Sequence, residues 1–469
     1  MNIHRYILLQ KLYSLTIQHD KSHINMTLQL EQPIRTLVLG LLGLIVRLVI
    51  SFTFGESLRL RVEVTTPISD WKRAHEAIHL LDSGLDPYSS NLFHEYPISL
   101  QLYKIVYNYS NVDFTFALTD VITAILLKCS VLKQMKTSDE QLSSESASKS
   151  SNLVYLIYLF SPLTIITCAA KSTTIFTNFL IALISLILFM KPFRALTCVL
   201  CAILTCNNIH LGTIILPIFL CQEFYFNNIN QNGTHSTQRP ARTYYSRQDF
   251  FSSLSTCFTI CLASIVTLLL TSFLLMDSSW SFIKPTYLFV LKIQDLTPNI
   301  GMFWYFFTEM FEHFLDFFTW VVQINAFLHV VPLSICLRDS PFFLLYVIIF
   351  TSTIFQPYPN LAHIGLLTSL LPQHSHLFAH MHHGLKISCT ILVCMCLWPV
   401  FWHLWIVVGT ANSNFYFGAT SAFMAAHILL LSDLLNAHNF VKAKLRYEEL
   451  QKDQEKKLDS SNLMKEKIK

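Results

Sequence analysis

Charge is nearly absent from most of this chain, and its confinement restricts the fold more than any motif does. Of 62 Lys, Arg, Asp and Glu residues, 43 fall in five segments, 1–35, 55–97, 133–151, 222–249 and 437–469, leaving 19 for everything between. The intervening apolar runs include stretches of roughly 20 residues, enough to cross about 30 Å of hydrocarbon as a helix. A helix satisfies every backbone polar group inside lipid. Charged residues make up 13% of the sequence, about half the roughly 25% of soluble domains. With 52% apolar residues and a mean hydropathy of +0.45, disorder, a coiled coil, a collagen-like fibre and a disulfide-dense module are excluded for the whole chain. The chain reads as an all-α polytopic membrane protein.

Three regions follow: a polar N-terminal extension over 1–33, a transmembrane domain over 34–436 and a charged, helix-prone tail over 437–469. The first crossing, 34–54, contains Arg47 and lies too deep for an ordinary cleaved signal peptide. After a polar loop at 55–97, apolar runs cover 98–131, 152–170, 173–190, 195–226, 250–276, 303–337, 341–356, 361–372, 386–408 and 415–436. Counting the longest as two passes predicts about twelve crossings. Lys133 and Lys136, Lys191 and Arg194, Arg239, Arg242 and Arg247, Arg338 and the basic tail then share one side, cytosolic by the positive-inside rule, with both termini. The opposite, luminal side receives 55–97, 277–300 and 409–414, although 55–97 itself carries four basic residues. Asn25, Asn108 and Asn232 head N-x-S/T triplets, but this topology predicts little glycosylation. Lys465, Lys467 and Lys469 resemble the dilysine retrieval signal of endoplasmic-reticulum membrane proteins.

Few side chains offer chemistry. Glu309, Glu312, His313 and Asp316 are spaced i, i+3, i+4, i+7 and are predicted to share one helical face among many phenylalanines. Carboxylates at membrane depth are costly against lipid, so this polar seam should meet other helices, a subunit or lipid headgroups. A metal site and a general acid–base pair are the competing readings, but Glu-x-x-Glu-His is not a standard ligand motif and no nucleophile stands nearby. The run His403-Leu-Trp405 to Asn412-Ser413-Asn414-Phe415 ends a helix in an asparagine turn suited to hydrogen-bonding hydroxyls or phosphates. The histidines at 374, 376, 380, 382 and 383 read as interfacial polar surface, Arg47 as one partner of an ion pair, and the Cys198-x-x-Cys201 pair as buried thiols. No cofactor, metal or nucleic-acid-binding stripe is indicated.

The segments Arg61-Val-Glu-Val64, Ser69-Asp-Trp-Lys-Arg73, Leu80-Leu-Asp-Ser-Gly84, Phe93-His-Glu95 and Asp295-Leu-Thr-Pro-Asn-Ile-Gly301, with Phe303 to Phe314 and Ala411 to Phe415, resemble the phosphatidylinositol-glycan class U family. The resemblance covers roughly 34–436. It implies a non-catalytic membrane subunit of glycosylphosphatidylinositol (GPI) transamidase, resident in the endoplasmic reticulum. Such a subunit binds and presents the GPI lipid and scaffolds the complex, while a cysteine-protease-like partner carries the nucleophile. On that reading Asn412 and Asn414 contact glycan or phosphate, and Phe303, Trp304 and Phe307 line a lipid groove. The alternative is a dolichol-phosphate-mannose-dependent mannosyltransferase of the same pathway, whose multi-spanning (GT-C-type) membrane portion the chain also resembles. Those enzymes place an acidic pair early in the first luminal loop, where this chain has Glu63 alone.

Overall fold

In the computed structural model, residues 33–138, 144–232 and 247–466 are described. The N-terminal extension before Pro33 and the last three residues, with Lys467 and Lys469, lie outside them. Helices dominate: α1 (Pro33–Arg59), α2 (Trp71–Asp82), α3 (Pro97–Tyr109), α4 (Val112–Ser138), α5 (Ser144–Phe160) and α6 (Pro162–Ala169) form the first half with α7 (Thr174–Ile187), α8 (Arg194–Asn207) and α9 (Ile215–Asn232). The second half holds α10 (Arg247–Leu275), α11 (Phe289–Leu291), α12 (Phe303–Thr308), α13 (Glu312–Leu328) and α14 (Val330–Cys336), then α15 (Pro341–Phe355), α16 (Leu361–Leu370), α17 (Gly384–Trp402) and α18 (Ser413–Glu466). No β-strand forms among the described residues; Asp70 and Ser172 make an isolated bridge.

Six helices are long and apolar enough to cross a membrane, and a seventh arises if α5 and α6, bent by 43°, count as one span. The bend has a local cause. Pro162 excludes the helical conformation at the preceding residue, and Ser161 is extended at ψ 128°. Four further apolar helices are shorter, among them Thr174–Ile187 and Pro341–Phe355. At 1.5 Å per residue, the 15 residues of α15 reach only about 22 Å. Nearly every α15 side chain is buried, as befits a helix apolar on all faces. The predicted twelve crossings thus exceed the six or seven that length supports, because several apolar runs are short helices packed inside the bundle.

Close approach of α1 to α5 depends on two glycines. A Cβ on Gly43 would overlap the Leu159 side chain, and one on Gly40 would stand 3.1 Å from the Tyr155 hydroxyl. The main core joins Val121 and Leu127 of α4, Tyr158 of α5, Ile181 of α7, Leu204 of α8 and Phe350 of α15. Of the polar loop expected at 55–97, residues 60–96 fold on the bundle through an apolar core shared with Tyr103, Phe116, Ile175 and Phe282. Trp71 packs edge-on against Tyr103 and Phe116, at centroid distances of 5.7 and 5.2 Å. Helix α18 runs unbroken for 54 residues, so the tail continues the last apolar segment with no boundary near 436. Its C-terminal half is tied back by Lys442 to Asp339 at 2.9 Å.

Candidate functional site

Polar groups inside the bundle resolve first into structural sets. Arg47 donates from Nε to Asp120 Oδ2 at 2.6 Å and from Nη1 to the Leu159 carbonyl at 2.8 Å. The Tyr158 hydroxyl donates to the other Asp120 oxygen at 2.7 Å. Both charges are buried, so Arg47 is the ion-pair partner its sequence position suggested. All twelve cysteines are free, with Cys198 and Cys201 buried. Among the histidines, His376, His382 and His383 are exposed, and the Asp433 carboxylate accepts the backbone N–H groups of His382 and His383 where α17 begins. No group of three or more potential metal ligands assembles among the described residues.

The four-residue seam does not survive as one helical face. Helix α12 ends at Thr308 and α13 starts at Glu312, with Phe311 extended between them at ψ 141°. Glu309 therefore caps one helix while Glu312, His313 and Asp316 open the next, and all four side chains are exposed. Exposed Phe311, Phe314, Phe317 and Trp320 surround them.

The asparagine turn forms as expected. Helix α17 continues through a turn of π-helix to Gly409, whose φ of +73° is left-handed and suits glycine. Asn412 Oδ1 accepts from Asn414 N at 3.2 Å, holding the start of α18, and the Tyr305 hydroxyl donates to Asn414 Oδ1. Tyr305 stacks on Phe417 at 4.4 Å, and Trp304 meets Trp405, Tyr416 and Phe417 within 6.5 Å. Trp304 is buried behind the turn, whereas buried Phe307 and half-buried Phe303 pack with Phe289, Val290 and Tyr358 in a separate cluster, so none of the three offers an open surface. The open groove lies beside them, between α17 and α18. It measures about 570 Å³ and is lined by Val393, Leu397, Phe401, Phe415 and Ala419, with Asn414 as its polar member beside Thr390.

Asn360, which the sequence reading passed over, and His94 and Glu95, which it named only within a motif, organise a second polar region. Asn360 Nδ2 donates to Ser69 Oγ at 2.9 Å and Ser172 Oγ at 3.1 Å, while its Oδ1 caps α16 through Ala362 N at 2.8 Å. An Asn between prolines and an apolar run is an N-cap signal, and that signal was legible. His94 stacks on Phe289 at 3.5 Å. Glu95 is buried, accepting from the Tyr103 hydroxyl at 2.5 Å and the Thr173 hydroxyl at 2.7 Å. Burial lifts its carboxyl from 4.5 to about 7, against the pull of those two hydroxyls. A carboxyl whose folded value lies above its unfolded one supports the fold fully below about 4.5 and loses that support as pH rises through about 7. Glu95 therefore costs the 60–96 segment protease resistance as pH rises from about 4.5 to 7, opposed up to about 6.5 by His94, whose ring burial lowers to about 4, so Glu95→Gln should shift the slope toward greater resistance at pH 7 than in the wild type. An unchanged slope in the variant would remove Glu95 as its cause.

Glu63 is also buried, facing Tyr416, and burial raises its carboxyl. It has no aspartate neighbour.

Comparison with known proteins places these features. The profile described as "GPI transamidase subunit PIG-U" matches residues 41–423. The chain is 35% identical over 404 residues to "GPI-anchor transamidase component PIGU" of Mus musculus, covering 82% of this chain and 89% of the relative. It is 34% identical over 405 residues to the Homo sapiens protein of the same description, with the same coverage. It is 27% identical over 390 residues to "GPI transamidase component GAB1" of Saccharomyces cerevisiae, covering 82% and 88%. A match across most of the bundle, with more than a third of residues shared with one mammalian relative, makes this chain a member of the GPI transamidase subunit PIG-U family.

Proposed function

We propose that the chain is a non-catalytic membrane subunit of GPI transamidase that holds the GPI lipid and helps scaffold the complex in the endoplasmic-reticulum membrane. The observation that carries this is the α17–α18 groove. Its walls are apolar and its end is Asn414, beside the exposed Asn412. An acyl chain fits such walls, and a sugar hydroxyl or phosphate fits the two amides at the mouth. Trp304 backs the turn from within, and Phe303 and Phe307 pack in the neighbouring apolar cluster with Phe289 and Tyr358. The exposed face bearing Glu309, Glu312, His313 and Asp316 then suits a neighbouring subunit or lipid headgroups, with the catalytic cysteine on a partner. Burial of Glu63, at 3% exposure facing Tyr416, speaks against a mannosyltransferase base, which needs access to its substrate. On the same reading the short buried helices complete about twelve passes with both termini cytosolic, as loop charge indicates.

The test is Asn412→Ala combined with Asn414→Ala. Two lost hydrogen bonds of about 0.5–1.5 kcal/mol each should weaken lipid binding by about 5- to 150-fold and lower surface display of a GPI-anchored reporter accordingly, with subunits still co-purifying. Normal display would remove the turn from GPI contact.

A further inference from the structure

Beneath the 60–96 segment lies a cavity that the lipid groove does not explain. It measures about 50 Å³ and is lined by Thr66, His94, Asn208, Gln356, Tyr358 and Asn360, among others. No Asp, Glu, Lys or Arg lines it. A bare phosphate or ammonium would therefore be desolvated there with no opposite charge. Most of the lining is internally bonded: Asn360 by the contacts above, Asn208 to His210 N at 3.1 Å, and the Tyr358 hydroxyl to the Asp295 carbonyl at 2.9 Å.

Two polar atoms are different. His94 Nε2 and Gln356 Nε2 are buried and have no hydrogen-bond partner among the described residues. Their side chains are 3% and 5% exposed. The chemistry of each is fixed. His94 Nδ1 lies 2.9 Å from the Pro285 carbonyl, which can only accept, so Nδ1 carries the proton. Burial lowers the ring to about 4, leaving it neutral, and Nε2 is then a bare acceptor. Stacking on Phe289 fixes the ring plane. Gln356 Nε2 is a donor.

One buried acceptor and one buried donor in a neutral cavity are the complement of a hydroxyl, which gives one hydrogen and takes another. We propose that this cavity is a hydroxyl-recognition subsite that takes one hydroxyl-bearing arm of a neutral sugar or inositol ring belonging to the bound glycolipid. The volume admits such an arm and excludes a whole ring. The arm's O–H donates to His94 Nε2 while its oxygen accepts from Gln356 Nε2. This assignment rests on the GPI-binding reading above and gives it a second, headgroup-specific contact.

The experiment uses the detergent-purified complex containing the full chain and three fluorescent lipids: a GPI precursor, phosphatidylinositol and phosphatidic acid. Gln356→Met keeps side-chain length and removes the donor; His94→Leu removes the acceptor. Each is expected to weaken binding of a polyol lipid about five- to tenfold, with phosphatidic acid unaffected and the unfolding temperature of the complex retained. His94→Gln, which restores an acceptor, should recover most of the affinity. Loss confined to the GPI precursor assigns a glycan hydroxyl; loss with phosphatidylinositol as well assigns an inositol hydroxyl. Unchanged binding of both polyol lipids in both variants overturns the subsite and leaves the groove reading standing, as does equal loss with phosphatidic acid. Failure of the wild-type complex to bind either polyol lipid overturns both.

Discussion

Arg47→Leu is expected to remove most folded protein from the membrane. The guanidinium is fully buried and satisfied on several sides, by Asp120, by the Leu159 carbonyl and by Thr164 Oγ1 at 3.4 Å. These contacts pin α1 to α4, α5 and α6 at one point. Removing one partner of a buried pair strands the other charge, at a cost of about 3–5 kcal/mol, against a total stability of roughly 5–15 kcal/mol. The stranded group would be Asp120, which keeps only the Tyr158 hydroxyl. Replacing both charges with apolar groups of similar size is often neutral. Arg47→Leu with Asp120→Leu should therefore recover much of what the single change loses. The readouts are the amount of full-length protein in membranes and the midpoint of thermal aggregation in detergent. A single variant as abundant and stable as wild type would show that the pair does not hold these helices together.

That pair was legible in the sequence because a lone arginine in an apolar run demands an explanation. The asparagine turn was legible for a similar reason: Gly409 and the polar residues after it interrupt a long apolar helix. What escaped was length and continuity. The 303–337 run contains no Pro or Gly between Phe303 and Phe311, yet the chain breaks before Glu312, splitting the seam. Hydropathy reports which residues avoid water and says little about where a helix stops. Nor does hydropathy report that α15 is only 15 residues long. At α18 the change from apolar to charged composition marks the helix-prone tail, and the helix runs through it without a break. In the 60–96 segment mixed charge suggested a solvated loop, whereas Trp71, Tyr88 and Phe93 build a core from residues scattered among the charges. Pairing over distances such as Asn360 to Ser69 leaves no local signal, although the cap made by the same side chain does.

Asn360 is consequently the position where the largest loss after Arg47 is expected. Its amide joins three parts of the chain: the 60–96 segment through Ser69 Oγ and the Val64 carbonyl at 3.3 Å, the α6–α7 turn through Ser172, and α16 through its cap. Asn360→Leu strands several buried polar groups together, for about 2–4 kcal/mol by the cost of unmade bonds and a lost cap. The segment should then detach locally before the bundle unfolds, because the small apolar cluster it shares with Tyr103 and Phe116 is its main remaining hold. Limited proteolysis should cut within 60–96 at protease levels that leave the wild type intact, while the bundle stays helical. Asn360→Asp separates the two roles. A carboxylate oxygen still caps Ala362, and the other can accept from the serine hydroxyls to which the amide had donated, but it cannot donate to the Val64 carbonyl. It should therefore fall between wild type and leucine in protease resistance. Because Asn360 also lines the hydroxyl-sized cavity, GPI-reporter display should drop in step with that resistance. Full resistance in Asn360→Leu would mean that the segment is held on the bundle by its apolar contacts alone.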